Sequence, residues 1–193
     1  MLKKVVLLAV LALALPLAAF ADSSIDITNK GGTLTGDSNG LSLTGSTMIN
    51  YGSIVGSNLG TVSFTTGAFT SGDAQNGGTL AAGGSFMIVG NGTNGVPNGV
   101  IFSGSFSSAT WTLIPLANGT HNYVLTAALV SPGGQVGATT QITVNTGKGF
   151  FNGSVGLSSG DTNLAVPEPG TLSLLGTGLI SLAGIVRRKL SLS

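Results

Sequence analysis

Short runs in which apolar residues alternate with small polar ones fill the middle of the chain. Ile25 and Ile27 flank Asp26, and this period of two is typical of antiparallel strands with one buried face. The same alternation recurs at Leu41 and Leu43, Val62 and Phe64, Trp111 and Leu113, and Ile142 and Val144. Residues 85–89 and 100–102 are more continuously apolar, which predicts central strands. Residues 123–130 are apolar on both faces, which predicts a strand buried on both faces.

Asn-Gly pairs separate these runs and predict tight turns. They begin at Asn39, Asn76, Asn91, Asn94, Asn98, Asn118 and Asn152. Both residues tolerate the positive φ that type I′ hairpin turns need at their two central positions, and Asn118-Gly119 marks the clearest hairpin. We therefore expect an all-β fold, a single antiparallel β-sandwich or β-roll-like domain of about 8–11 short strands. We place it at residues 22–156, followed by a linker at 157–165.

The first 21 residues have the pattern of a signal peptide. Lys3 and Lys4 precede an apolar run over residues 5–17, which is shorter than the roughly 20 residues of a membrane span. Ala19 and Ala21 supply the small residues that signal peptidase requires. We expect cleavage before Asp22, and the alternative is a retained membrane anchor.

The other end of the chain has three parts that together predict a membrane-sorting tail. Val166, Pro167, Glu168 and Pro169 precede an apolar segment at residues 171–186, and Arg187, Arg188 and Lys189 follow it. Proline cannot lie inside a helix, so the two prolines mark the start of a transmembrane helix over 171–186. The basic end then stays in the cytoplasm by the positive-inside rule, with residues 22–166 on the other side of the inner membrane.

These parts resemble the PEP-CTERM sorting tail, over residues 166–190. Pro167-Glu168-Pro169 matches the signature triplet, and the apolar span and the basic end match the remaining parts. The resemblance implies cleavage by an exosortase near the triplet, transient anchoring in the inner membrane, and a link to exopolysaccharide and biofilm. It makes signal peptidase and exosortase the expected partners, and the cell envelope, outer surface or extracellular matrix the expected location. The alternative is an ordinary C-terminal anchor.

Charge and cysteine content exclude several classes of protein. Only 7% of residues are charged, against about 25% in an average soluble domain. Residues 22–166 hold five aspartates and two lysines, so no basic patch is present to bind a nucleic acid. Without cysteine there is no disulfide, thiolate metal site or cysteine nucleophile.

Two glycine motifs suggest sites that their surroundings do not support. Residues 90–95 fit the dinucleotide pattern G-x-G-x-x-G, but turn residues follow instead of a helix, and no acid occurs between Asp73 and Asp161. Residues 156–160 fit the nucleophile elbow around Ser158, but the only histidine, His121, precedes it. We expect turn-rich loops at both places, with Ser158 solvated.

Isolated polar residues give weaker signals still. His121 has no second histidine, so we expect an exposed residue at the start of a strand and no metal site. Asp37 begins a sequence similar to a calcium loop, but the glutamate at the required spacing is absent and a capped turn is expected. Three N-x-[ST] sequons, at Asn91, Asn118 and Asn152, coincide with Asn-Gly turns.

We expect a non-enzymatic surface or matrix protein without a cofactor. The alternative is a carbohydrate- or ligand-binding β-module, for which Tyr51, Trp111 and Tyr123 would have to form an exposed aromatic surface. A third possibility is a hydrolase, which would need two aspartates facing each other in a cleft.

Overall fold

The computed structural model describes residues 23–132 and 137–166, which form eleven β-strands and no helix. In chain order these are β1 (Ser23–Lys30), β2 (Thr33–Asp37), β3 (Gly40–Tyr51), β4 (Ile54–Thr65), β5 (Phe69–Asp73), β6 (Gly77–Leu80), β7 (Gly83–Asn91), β8 (Asn98–Pro115), β9 (His121–Val130), β10 (Gly137–Asn145) and β11 (Ser154–Val166). The all-β prediction is therefore confirmed for this part of the chain. The predicted signal peptide and the predicted helix at 171–186 lie outside it. Within residues 23–132 and 137–166, no helix has the length and apolar character needed to cross a membrane.

All eleven strands belong to one sheet that closes on itself. The hydrogen-bonded order β8-β7-β4-β3-β1-β11-β10-β9 is completed by pairing of β8 with β9, which gives a closed ring of eight strands. The β-sandwich alternative, with two separate sheets, is therefore wrong. Each of the eight strands in the ring therefore has a partner strand on both sides, whereas β5 pairs with β6 alone.

The remaining three strands continue members of the ring. β2 pairs with β3 and β11, the two neighbours of β1, so β1 and β2 form one strand interrupted at residues 31–32. In the same way β4 continues into β5, and β6 into β7. The chain is thus a series of consecutive antiparallel hairpins, in which β11 returns beside the first strand.

Because each hairpin reverses the chain, successive connections alternate between two ends of the ring. We call the end with residues 52–53 and 92–97 the tail-side end, because the domain also begins and ends there: Asn163 Nδ2 donates a 3.4 Å hydrogen bond to Ser24 Oγ. The far end holds the other described connections. They are residues 38–39, 74–76, 116–120 and 146–153.

Side chains fill the interior of the ring, as eight strands allow. Phe64, Phe86, Phe102 and Phe106 are buried together, with Phe64 and Phe86 stacked at 5.9 Å between ring centroids. In β9 the buried residues are Tyr123, Leu125, Ala127 and Leu129, every second position. The predicted burial of both faces of this strand is therefore wrong, because its other face lies on the outside of the closed sheet.

The predicted linker at residues 157–165 is also wrong, since this segment belongs to β11. Seven of its residues pair with β10, from Leu157 opposite Val144 to Leu164 opposite Ala138. Leu157, Thr162 and Leu164 are buried. The compact unit accordingly extends over Ser24–Ala165, and the folded domain continues to the start of the sorting tail.

The hairpin predicted at Asn118-Gly119 is confirmed, but its turn differs from type I′. β8 and β9 pair up to Pro115 opposite His121, which leaves a connection of five residues. Gly119 has a φ of 77°, whereas among the described non-glycine residues only Asn94 has a positive φ. The Gly119 N–H donates to the Leu116 carbonyl at 2.9 Å. The longer loop therefore requires positive φ at glycine alone.

Glycine also permits the corner between β6 and β7. Gly84 has a φ of 69°, and a Cβ there would contact the Thr65 carbonyl oxygen of the neighbouring strand. Gly84→Ala should lower the free energy of unfolding by about 2 kcal/mol or more, from backbone strain and this clash together. Gly119→Ala is the matched control, because it has a similar φ but nothing within 4 Å, and should cost about 1 kcal/mol. Equal costs in urea unfolding would contradict this explanation.

Candidate functional site

The residues that define the sorting tail lie at the C-terminal boundary of the described structure. Val166 is the last residue of β11. Pro167, Glu168 and Pro169 follow it directly in sequence and lie outside the described residues, as do Arg187, Arg188 and Lys189 and the signal-peptidase positions Ala19 and Ala21. The last cross-strand pair with β10 is Leu164 opposite Ala138. The triplet thus begins three residues beyond the last position that pairs with β10.

The glycine motif at residues 90–95 forms a turn, as predicted. Asn91 ends β7 and β8 begins at Asn98, so a strand follows where a nucleotide site requires a helix. The Asn91 Oδ1 accepts hydrogen bonds from the backbone N–H and the Oγ1 of Thr93, at 3.0 and 2.6 Å. The asparagine side chain therefore shapes this loop, and no helix N-terminus is present to hold a pyrophosphate.

Ser158 lies within β11 and not in a loop, which corrects that part of the prediction. Its side chain is exposed, as expected. The strand continues beyond it, and residues 159–164 all pair with β10. A nucleophile elbow requires a sharp turn from a strand into a helix. The extended backbone at Ser158 does not provide one.

His121 is the first residue of β9, as predicted, but it is half-buried. Its ring stacks on that of Phe150, with 4.4 Å between centroids, and its Nδ1 is buried without a hydrogen-bond partner. Phe150 itself is 48% exposed. No group of three or more His, Cys, Asp or Glu residues that could hold a metal ion occurs in the described ranges.

Asp37 caps a turn, as its sequence predicts. Its Oδ1 accepts a 2.7 Å hydrogen bond from the Asn39 backbone N–H in the two-residue turn between β2 and β3. Thr35, Asp37, Asn39, Ser42 and Thr65 contribute polar groups to a cavity of about 460 Å³ beside this turn. This far-end cavity could form hydrogen bonds with a polyhydroxylated ligand.

Asp73 caps the neighbouring far-end loop more extensively. Hydrogen bonds from the Asn76 side chain and then from the Asn76 backbone N–H lower the pKa of this carboxyl. Desolvation opposes them, and the Gln75 backbone N–H adds a weaker lowering effect. A depressed pKa stabilises the fold above the unfolded-state value of about 3.9, and the contribution is lost as pH falls through the folded-state value.

Asp73→Ala should therefore lower the melting temperature at neutral pH, and the difference from wild type should disappear in strong acid. Asp161→Ala is the control, since that carboxylate accepts a single 3.3 Å bond from Ser159 Oγ and caps no loop. Thermal melts of the three proteins across the acidic range measure the effect. A wild-type advantage over Asp73→Ala that persists at the lowest pH would contradict the capping explanation.

Two of the three tryptophan and tyrosine side chains considered for sugar stacking lie in the core. Trp111 is 1% exposed and Tyr123 is fully buried, and their rings stack at 5.2 Å. Trp111 Nε1 donates to the Ala74 carbonyl at 2.9 Å, and Tyr123 Oη donates to the Gln75 carbonyl at 2.6 Å. Both side chains therefore fix the 74–76 loop over the core, and Tyr51 is half-buried as well.

The structure brings together two aspartates that are far apart in sequence. Asp26 on β1 and Asp161 on β11 line a cavity of about 220 Å³ on the outer face of the sheet. Its other lining residues are Thr126, Thr139, Thr140, Gln141 and Asn163. Amide and hydroxyl groups line the cavity beside the two aspartates, a set of groups suited to hydrogen bonding.

The described residues thus form a hydroxyl-rich all-β domain that leads directly into a C-terminal tail. Residues 165–189 match the family model described as the PEP-CTERM protein-sorting motif. The chain therefore carries this motif, as its triplet, span and basic end predicted, and the motif implies an exported, membrane-anchored precursor that an exosortase processes. No curated protein and no solved structure matches the chain.

Proposed function

We propose that this chain is the precursor of a structural protein of the cell surface or extracellular matrix. Signal peptidase cuts after Ala21, residues 171–186 stop in the inner membrane, and exosortase cuts near Pro167-Glu168-Pro169. The observation that supports this most directly is the match of residues 165–189 to the sorting motif. Residues 187–189 supply the positive charge that keeps the end of the tail in the cytoplasm.

The folded domain supports a structural and non-enzymatic role. Each strand of its ring has a partner strand on both sides, its interior is filled by side chains, and its outer face is mostly Ser, Thr and Asn. A surface of neutral hydrogen-bonding groups is compatible with a hydrated polysaccharide matrix. The turns capped by Asp37 and Asp73 and the hydrogen bond from Trp111 show that these side chains hold the far-end loops.

A carbohydrate-binding module is the second candidate function, but the residues that favour it differ from those that the sequence suggested. Burial of Trp111 and Tyr123 removes the aromatic surface on which the sequence-based hypothesis depended. Exposed Phe150, supported by His121, and the 460 Å³ cavity favour this candidate instead. A pull-down with exopolysaccharide from the native host tests it: retention that Phe150→Ala abolishes would establish binding, and no retention would leave the structural role.

Deletion of the exosortase gene in the native host tests the sorting function. The protein should then remain in the inner membrane at precursor mass, whereas the complemented strain should release or transfer the passenger. Arrival of the passenger at the same place with the same mass in both strains would overturn the proposal. A secreted protein with a signal peptide and no sorting tail is the control for general export.

A further inference from the structure

We infer that the tail-side end of the domain lies against the lipid headgroups in the tail-anchored precursor. This inference rests on the proposed function, because it requires residues 171–186 to span the membrane. Its first support is the short connection between the folded domain and the apolar segment. β11 continues to Val166, so only residues 167–170 separate the end of the folded strand from the apolar segment.

The connection limits the distance between the domain and the membrane. Five Cα–Cα steps from Val166 to residue 171 extend at most about 18 Å. The headgroup layer takes up about 5–8 Å of this length on each side of the hydrocarbon core. A gap of about 13 Å or less therefore remains, which is similar to the width of one helix. The two prolines stiffen this connection and do not lengthen it.

The tail-side end also has the chemistry of a surface that can approach lipid. Residues 50–60 and 90–100, which include both described connections of this end, contain no charged side chain. Val55 is 75% exposed and Val100 is 63% exposed, the highest values among the large apolar residues of the described chain. An uncharged surface with exposed aliphatic groups loses little hydration when it meets the headgroup layer.

Hydrogen bonds and packing hold this surface together. Asn91 Nδ2 donates to the Asn58 carbonyl at 2.7 Å, which joins β7 to β4 beside Val55. Val96 of the 92–97 loop is buried at 3% exposure and closes this end of the interior. The valines are therefore presented by a fixed surface.

The far end, in contrast to the tail-side end, carries exposed charged side chains. Asp37, Asp73 and Lys148 are all exposed there, in or beside its connections. Among the residues that the structure describes, the charged side chain next to the 52–53 connection is Asp26, whose carbonyl accepts the Gly52 N–H at 2.7 Å and which lines the cavity shared with Asp161. The two ends thus differ in hydration, and the less hydrated end is the one attached to the tail.

Headgroup quenching of single-cysteine variants tests the inference. The chain has no cysteine, so Val55→Cys and Val100→Cys can each carry one fluorophore on the full-length precursor in vesicles with a headgroup-attached quencher. Leu116→Cys is the matched control, an exposed apolar residue of the far end. Quenching at Val55 and Val100 should be at least twofold stronger than at Leu116.

Two further outcomes separate the inference from the function on which it rests. If alkaline carbonate leaves the precursor in the vesicles but the three positions are quenched equally, the surface is not at the membrane and the inference is overturned. If carbonate releases the precursor, residues 171–186 do not span the bilayer and the proposed function fails too. Circular dichroism of the labelled variants confirms that each has folded.

Discussion

Trp111→Ala should lower the free energy of unfolding by about 3–5 kcal/mol, the range expected for a large aromatic side chain in the core. The indole stacks on Tyr123 and meets Phe151 edge-to-face, at centroid distances of 5.2 and 5.8 Å. Its removal leaves a cavity beside two aromatic rings, those of Tyr123 and Phe151. It also leaves the Ala74 carbonyl without the 2.9 Å hydrogen bond from Nε1, so the cost of lost packing and that of a lost hydrogen bond combine.

Urea unfolding followed by far-UV circular dichroism measures this loss. Phe150→Ala is the matched control, because it removes an aromatic ring that is 48% exposed and contacts His121 at the surface. It should cost about 1 kcal/mol or less. Equal losses for the two variants would mean that Trp111 does not hold the far end closed.

Glu168→Ala should leave export intact and trap the unprocessed precursor in the inner membrane. In the proposed function the signal peptide directs translocation, and residues 171–186 with the basic end stop it, so neither step uses the Glu168 carboxylate. Only an enzyme that recognises the proline-flanked triplet would be affected. Fractionation with an antibody against the domain should show precursor mass in the inner membrane and none outside.

Deletion of residues 187–189 provides the contrasting variant. Loss of this positive charge should weaken membrane arrest and orientation, and so give mislocalised protein in place of a stable inner-membrane precursor. If Glu168→Ala protein reaches the wild-type compartment at the wild-type mature mass, the triplet is not a recognition site. A plain C-terminal anchor should then replace the sorting interpretation.

Local sequence patterns predicted the parts of the fold that depend on neighbouring residues. Alternation located the strands around Leu41, Val62 and Ile142, and Asn118-Gly119 located the hairpin between β8 and β9. The burial of Trp111 and Tyr123 is typical of aromatic residues on strands, and it removes the exposed surface that the binding-module alternative required. Each of these follows from side-chain period or turn chemistry within a few residues.

Closure of the sheet could not be predicted in the same way. It depends on β11 returning beside β1, and these strands are more than one hundred residues apart in sequence. The same pairing brings Asp26 and Asp161 into one cavity, which no local spacing indicates. The Phe150–His121 stack is similarly a contact between separate elements, the first residue of β9 and the 146–153 connection. The adjacent aromatics Phe150 and Phe151 in a glycine-rich segment were the sequence feature that could have indicated it.

Composition was misleading at residues 157–165. Ser, Gly, Asp and Asn are frequent in this segment and are typical of linkers. In the structure its small polar residues alternate with Leu157, Thr162 and Leu164, and the exposed positions face solvent on the outside of the ring. A strand with one solvated face needs few large apolar residues, so a polar composition alone does not distinguish a linker from such a strand.

The intact mass of the mature protein, isolated from the surface or medium of its native host, tests the central claim most directly. We predict a chain that begins at Asp22 and ends near Pro167-Glu168-Pro169, with any transferred group visible as added mass on the C-terminal peptide. Peptides from residues 171–193 should be absent from this fraction and present in the inner membrane. A mature protein that still carries residues 171–193 would contradict sorting by an exosortase.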